Sequence, residues 1–361
     1  MSDKPPVVIA MSGGVDSSVA AGLLVEQGYP VTGIMLRLWS EPGSESENRC
    51  CTPDDVIQAR RVAARLGIPF YVMDVRDIFR QRVVQYFLDG YVSSRTPNPC
   101  VACNRLVRWG VLLDQVRAAG AEYLATGHYA RVRKGLHGKV ELLRGLDLRK
   151  DQSYVLSMLD QQQISHTLFP LGERSKGEVR QIARRFGLIV AEKSESQDLC
   201  FLGQQDYRDF LIHHAPDAVR PGPILDRQGN VLGTHQGLAF YTIGQRKGIG
   251  ISASEPLYVL AKEPERNVLL VGTSAELGQD RILVSDFNWI AGEPPGQSFN
   301  ALVKIRYQAD LVQATIKILE NKDVQVCAER RLRDITPGQI AALYHNDSVL
   351  GGGIIRRGGG N

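Results

Sequence analysis

One run near the start of the chain constrains the fold more than any other: VVIAMSGGVDSSVAAGLL, residues 7–24, passes from an apolar strand pattern through two glycines into a helical pattern. Ala20, Leu23 and Leu24 share one helical face. The alternation then repeats. VTGIML reads as a second strand, and TPDDVIQARRVAARLG as a helix with Thr52 as N-cap, Pro53 at its first position, Asp55 in its first turn and Gly67 as its stop. PFYVMDV reads as a third strand and EYLATG as a fourth, with helices predicted over 77–88 and 105–119. Strands that alternate with helices need crossover connections, which give a parallel, doubly wound sheet with its ligands at the carboxyl ends of the strands. The expected class is α/β.

The second half of the chain has a different texture. Helices are predicted over 175–186 and 206–213, and from Arg220 the chain carries Pro-Gly turns and alternating segments such as GLAFYTIG and PLYVLAKE. From about Arg281 it becomes a succession of short strand patterns ending in SVLGGGII, read as a β-barrel or sandwich. At 361 residues the chain exceeds one ordinary core. Three domains are expected: a doubly wound domain over 1–205, a small β-rich domain over 206–280 and a C-terminal β-barrel over 281–361.

Bulk properties exclude several classes. A net charge of +4 is too weak to argue for nucleic acid unaided. No apolar run approaches the roughly 20 residues that span a bilayer, so no membrane partner is expected. The N-terminus, with Asp3 and a break at Ser12-Gly13-Gly14, fits neither a secretory nor a transit peptide, and the expected location is cytoplasmic. Six cysteines, at 50, 51, 100, 103, 200 and 327, are then metal-binding, catalytic or buried thiols rather than a disulfide framework.

Gly13 and Gly14 remove two β-carbons where strand becomes helix, so backbone N–H groups and the helix dipole meet at a point suited to phosphate. A Walker loop would follow its glycines with Lys-Ser/Thr, whereas here Val15-Asp16-Ser17-Ser18 follows. The string SGGVDSS resembles the loop signature of the N-type ATP pyrophosphatases, which cleave ATP between the α and β phosphates and transfer AMP to a substrate oxygen. That resemblance implies ATP and Mg2+ but leaves the substrate open.

Cys100 and Cys103 lie in RTPNPCVACNRLVRWG, a proline-pinned loop that delivers Cys103 to the start of a helix, where the dipole favours a thiolate. Cys200 lies in SESQDLCFLG. TPNPCVACN, ATGHYAR, KDQSYVL, SQDLCFLG, YTIGQRKGIGI and GGGII occur in this order, and together they resemble the bacterial tRNA-specific 2-thiouridylases over nearly the whole chain. The resemblance implies that ATP adenylates the C2 oxygen of a wobble uridine and that a persulfide sulfur then displaces AMP. By position Cys200 matches the persulfide carrier and Cys103 the nucleophile that completes transfer through a transient disulfide. Such exchange requires the two α-carbons to approach within about 6 Å.

Further residues carry over by motif. Ala10, Met11, Ser12, Gly13, Gly14, Val15, Asp16 and Ser17 would form the ATP loop, with Asp16 toward magnesium, while Leu36 and Gly127 would meet the nucleotide at strand ends. His128, Lys150, Asp151, Gln152, Arg306, Tyr307 and Gln339 match positions that touch tRNA. Arg174, Lys176, Arg180, Arg184 and Arg185 form a basic helical face, and Arg246-Lys247, Arg330-Arg331 and Arg356-Arg357 add patches. A cysteine desulfurase or sulfur carrier protein is the implied persulfide donor. Cys100 stands where some relatives place an aspartate; it is open as a base contact, an auxiliary thiol or a metal ligand. Structural zinc is disfavoured because adjacent cysteines such as Cys50-Cys51 rarely bind one ion, whereas an iron–sulfur cluster on Cys100, Cys103 and Cys200 stays open.

Overall fold

The computed structural model describes residues 3–41, 52–135, 138–191, 199–203 and 205–356. Cys50, Cys51, most of the 40–48 loop, residues 196–198 of the SQDLCFLG segment and Arg357 lie outside them.

The N-terminal region is a five-stranded parallel sheet of β1 (Val7–Ala10), β2 (Val31–Arg37), β3 (Phe70–Asp74), β4 (Tyr123–Ala125) and β7 (Thr167–Leu168), ordered β3-β2-β1-β4-β7. β1 is central, so both its faces are covered: Val7 and Ile9 join one hydrophobic cluster and Val8 the other. The first cluster is closed by α1 (Val15–Glu26), α2 (Pro53–Leu66) and the Lys176–Arg185 helix; the second by helical segments over 76–92 and 99–118. The predicted start and stop of α2 hold in detail. Thr52 and Asp55 form a reciprocal capping box, and Gly67 ends the helix in the left-handed conformation at φ 68°. Gly22 lets α1 approach the 176–185 helix, since a β-carbon there would lie 2.5 Å from the Phe186 ring.

One helix begins well before the point its sequence periodicity indicates. The helix expected over 105–119 starts at Pro99, because Asn98 caps it by accepting from the Val101 N–H at 3.2 Å. That shift matters for Cys103, which stands one full turn inside the helix while Cys100 occupies the first turn. The dipole falls off within the first turn, so the expected benefit to a Cys103 thiolate passes instead to Cys100.

The middle of the chain forms a four-stranded sheet of β8 (Gly222–Leu225), β9 (Val231–His235), β10 (Tyr258–Glu263) and β11 (Val268–Gly272). GLAFYTIG is not one of its strands. Leu238–Phe240 is a short 3-10 turn, bracketed by Gly237 and Gly244 at positive φ, which breaks the extended run that the apolar alternation suggested.

The C-terminal strands are β12 (Gln279–Trp289), β13 (Ser298–Lys304), β14 (Val312–Ile318), β15 (Val324–Leu332), β16 (Ile340–His345) and β17 (Ser348–Ile355). They follow the order β12-β15-β14-β13-β16-β17, and the β12–β17 pairing closes them into a barrel rather than a sandwich. Gly351 and Gly353 permit that closure, because a β-carbon at either position would run into the backbone of β12. The hairpin of β5 (Ala130–Lys134) and β6 (Val140–Arg144) leaves the N-terminal region and extends this sheet, pairing Leu142 and Leu143 with Val349 and Ser348 of β17. Nothing in the local sequence pattern of 130–144 announced this hairpin. Among the described residues no helix is long and apolar enough to cross a membrane.

Candidate active site at the switch point of the parallel sheet

The strand order reverses at β1, so the carboxyl ends of β1 and β4 open the crevice where α/β sheets bind ligands. The glycine turn sits there. No side chain caps α1 at Gly14, which leaves its N-terminal partial positive charge directed at the crevice. Ser17 and Ser18 turn back, donating to the Gly14 carbonyl at 3.3 and 2.8 Å, and Ser17 Oγ accepts from the Ser12 N–H at 3.1 Å. Gly13, at φ +71°, packs against α2: a β-carbon would stand 2.7 Å from the Asp55 carbonyl. This backbone cradle fits an anion such as a nucleotide phosphate.

Gly127, two residues past β4, abuts the same loop. A β-carbon would lie 2.7 Å from the Ser17 nitrogen and 2.8 Å from the Asp16 carbonyl carbon. Met11 N–H donates to the Ile34 carbonyl at 2.8 Å, and β2 continues past the end of β1, so the Leu36 peptide, two residues on, points to the same side above the glycine turn. The Leu36 side chain is core. Thus Ala10 to Ser17, Leu36 and Gly127 converge on one crevice.

Asp16 is engaged by its neighbours. Lys176 Nζ lies 2.7 and 2.8 Å from its two carboxylate oxygens, and the Tyr129 hydroxyl donates to Oδ1 at 2.8 Å. An ion bound at Asp16 must therefore exchange for Lys176. Lys176 thus leaves the basic face predicted for its helix, as does Arg185, which pairs with Glu26 at 2.8 Å.

The thiols of Cys103 and Cys200 are both reduced, Cys103 buried and Cys200 half-buried, and both pack into one hydrophobic cluster. Phe201 anchors the Cys200 segment: its ring lies 5.2 to 6.1 Å from those of Phe87, Phe210 and Phe79. The loop before Cys103 is held from the barrel. Gln339 Nε2 donates to the Thr96 and Pro97 carbonyls at 3.0 and 3.3 Å, the Thr96 N–H donates to the Pro337 carbonyl at 2.8 Å, and Asn98 Nδ2 reaches Gln339 Oε1 at 3.4 Å. Cys100 is exposed.

The residues expected to meet tRNA fall into two groups. His128 is half-buried against Trp109 and Phe169, with Nδ1 2.8 Å from Thr126 Oγ1. Burial, aided by nearby Arg108, pulls its pKa from 6.5 to about 3, so it is a neutral ring at physiological pH. Tyr307 is exposed beside Lys304. Asp151 and Gln152 have internal partners instead. Asp151 is buried and accepts from the Gly145 and Ser153 N–H groups and the Ser153 hydroxyl, all at 3.0 Å; Gln152 brackets Tyr129 with bonds of 2.9 and 3.0 Å. Arg306 donates to the Ile243 carbonyl at 2.9 Å and to Thr336 Oγ1 at 2.5 Å. Gln152 therefore holds the backbone of Tyr129, next to His128.

Lys176 and Tyr129, which grip the loop aspartate, and Phe201, which seats Cys200, were not singled out for these roles from the sequence. Phe201 follows Cys200 directly, and an aromatic beside a candidate thiol in a loop is the signal that marks it. Among the described residues, the group of His, Cys, Asp and Glu side chains with three ligand atoms mutually within 4.8 Å is Glu41, His213 and His214, not the cysteines.

Family comparisons agree with this architecture. Three family models match in chain order: the tRNA methyl transferase HUP domain over residues 5–204, the tRNA methyl transferase PRC-barrel domain over 208–273 and the aminomethyltransferase beta-barrel domain over 279–355. A tRNA-specific 2-thiouridylase MnmA of Moorella thermoacetica is 48% identical over 352 residues, covering 96% of this chain and 98% of its own. The proteins of that name from Chloroflexus aurantiacus and Magnetococcus marinus are 46% and 45% identical, covering 97% and 98% of this chain and 98% and 100% of their own. Identity of 45–48% along almost the full length of these relatives, with a family model matching residues 5–204, leads to one assignment: the chain belongs to the tRNA-specific 2-thiouridylase family.

Proposed function

We propose that this protein is an ATP-dependent tRNA-uridine 2-sulfurtransferase acting on the wobble uridine. The observations that carry the reading are an uncapped helix N-terminus behind Gly13 and Gly14 and two reduced thiols, from segments far apart in sequence, that pack into one hydrophobic core.

Uridine C2 is a deactivated carbonyl, so its oxygen must become a leaving group first. Attack of that oxygen on the α-phosphorus of ATP forms an O-adenylate and releases pyrophosphate. Ala10 to Ser17 would cradle the phosphates, with the Leu36 peptide and Gly127 bordering the nucleotide. Mg2+ would accompany the phosphates and neutralise charge there, with Asp16 the carboxylate that the loop itself supplies. Cys200 would carry the persulfide. The Cys103 thiolate would attack Cys200 Sγ, the inner sulfur of the persulfide, forming the Cys103–Cys200 disulfide and releasing the outer sulfur as hydrosulfide. Hydrosulfide adds at C2, AMP departs, and a thiol reductant restores both cysteines. A desulfurase or sulfur carrier would load Cys200, and the reaction would belong in the cytoplasm.

For tRNA, neutral His128 and exposed Tyr307 offer stacking surfaces to an unstacked base, and Lys150 offers charge to phosphate. Asp151, Gln152, Arg306 and Gln339 would act mainly by holding these elements in place. We further propose functional units over 1–205, 206–280 and 281–361.

Incubation with unmodified tRNA, ATP, Mg2+ and a sulfide source, followed by mass spectrometry of anticodon nucleosides, tests the reading. It predicts 2-thiouridine with stoichiometric AMP and pyrophosphate, and loss of persulfide-dependent thiolation in Cys103→Ser and in Cys200→Ser. ADP as product, or full thiolation by either variant with a persulfide donor, refutes it.

A further inference from the structure

Away from the glycine loop, three side chains with transition-metal donor atoms converge where the segment after β2 meets the Tyr207–His214 helix. Glu41 Oε2 lies 2.7 Å from His214 Nε2, and Glu41 Oε1 lies 3.8 Å from His213 Nε2. All three ligand atoms lie within 4.8 Å of one another. The site has an aromatic wall: the His214 ring packs on Phe210 at 4.5 Å, tilted by 44°, and Trp39 meets both rings edge-on at 6.1 and 6.2 Å. Glu41 and His214 are largely shielded, with side-chain exposures of 14% and 18%, while His213 at 73% opens the site to solvent.

We propose that Glu41, His213 and His214 form a binding site for a borderline divalent transition metal, with Zn2+ the natural occupant. Two imidazole nitrogens and a carboxylate suit Zn2+, Co2+, Ni2+ or Cu2+ and are poor ligands for Ca2+ or Mg2+, which take oxygen donors. Tetrahedral coordination with bonds of about 2.0–2.1 Å places neighbouring donor atoms about 3.3 Å apart. One carboxylate oxygen lies 2.7 Å from His214 Nε2 and the other 3.8 Å from His213 Nε2, so ligation through a single oxygen requires rotation of the Glu41 carboxyl and of the exposed His213 ring. Three protein ligands leave a fourth position, on the exposed His213 side, for water. The two histidines end their helix, so the partial negative charge of its C-terminus favours a cation there.

An ion at this point would tie two parts of the chain together. Glu41 follows β2, whose carboxyl end borders the nucleotide crevice, whereas the histidines belong to the segment matched by the PRC-barrel model. The inference stands on this cluster alone and does not depend on the sulfur-transfer reading.

The test uses the full-length protein without an affinity tag, stripped with a chelator and titrated with Co2+, then with Zn2+ in competition. One equivalent of Co2+ per chain should give a visible d–d spectrum without a thiolate-to-cobalt charge-transfer band. Zn2+ should displace it and raise the thermal midpoint. Glu41→Gln and His213→Ala should each weaken affinity at least tenfold. His213 is mostly exposed, so its replacement spares the core, and circular dichroism checks both variants. Failure of the wild type to bind one equivalent, a thiolate charge-transfer band in that first equivalent, or affinity unchanged in both folded variants overturns the assignment.

Discussion

Replacing Gly127 with alanine adds one methyl group where the end of β4 touches the phosphate loop. Its β-carbon would lie 2.7 Å from the Ser17 nitrogen, 2.8 Å from the Asp16 carbonyl carbon and 3.0 Å from the Ser17 α-carbon. All three are backbone atoms at the start of α1, so no side-chain rotation relieves the overlap. The two segments must separate by about 0.7 Å to regain ordinary van der Waals contact. Overpacking of this kind costs about 1–2 kcal/mol, which for a unit of roughly 200 residues corresponds to a fall of about 2–8 °C in thermal midpoint. Displacement of the cradle approaching 1 Å costs about 10²-fold in catalysis. The expected result is therefore a modest loss of stability with a far larger loss of kcat/KM for ATP, read as tRNA-dependent pyrophosphate release. A Gly127→Ala protein with wild-type kcat/KM would refute the view that this contact positions the loop.

The remaining predictions probe other contacts. Gln339→Ala removes two donated bonds to the Thr96 and Pro97 carbonyls; it should cost about 1–3 kcal/mol in urea unfolding and lower kcat for thiolation while leaving ATP affinity within twofold. His128 resists protonation in the folded chain, with a pKa of about 3 against 6.5 ordinarily, so below pH 6.5 only the unfolded chain takes up that proton. Stability should accordingly fall as pH drops from 6.5 toward 3, and His128→Gln should flatten that part of the urea-midpoint profile relative to wild type. Burial pulls the Lys262 amine from 10.5 to about 7, its nitrogen donating to the Tyr241 carbonyl at 3.0 Å. Between pH 7 and 10.5 the unfolded chain binds the extra proton, so stability should rise with pH across that window in wild type but not in Lys262→Met. An equal slope in the two proteins would show that this amine is charged in the fold.

Much of the site is local chemistry and so was legible in the sequence. A glycine pair between an apolar strand and a helix fixes a backbone cradle because only backbone can crowd there, and Thr52, Pro53, Asp55 and Gly67 write both ends of α2 into adjacent residues. The alternation of strand and helix likewise determines a parallel sheet, since no shorter connection joins parallel strands. What tertiary structure alone decided is the company these elements keep. Nothing near Asp16 in sequence announces that Lys176 and Tyr129 will hold it, or that Gln339 of the barrel will grip the loop before Cys103. Capping by Asn98 overrode the periodicity that placed Cys103 at a helix start, and the β5–β6 hairpin found its partner in β17, some 200 residues away. Such contacts depend on which faces are left to bury once the local elements exist, and burial is non-directional: many partners are compatible with one apolar face, and the packed whole selects among them.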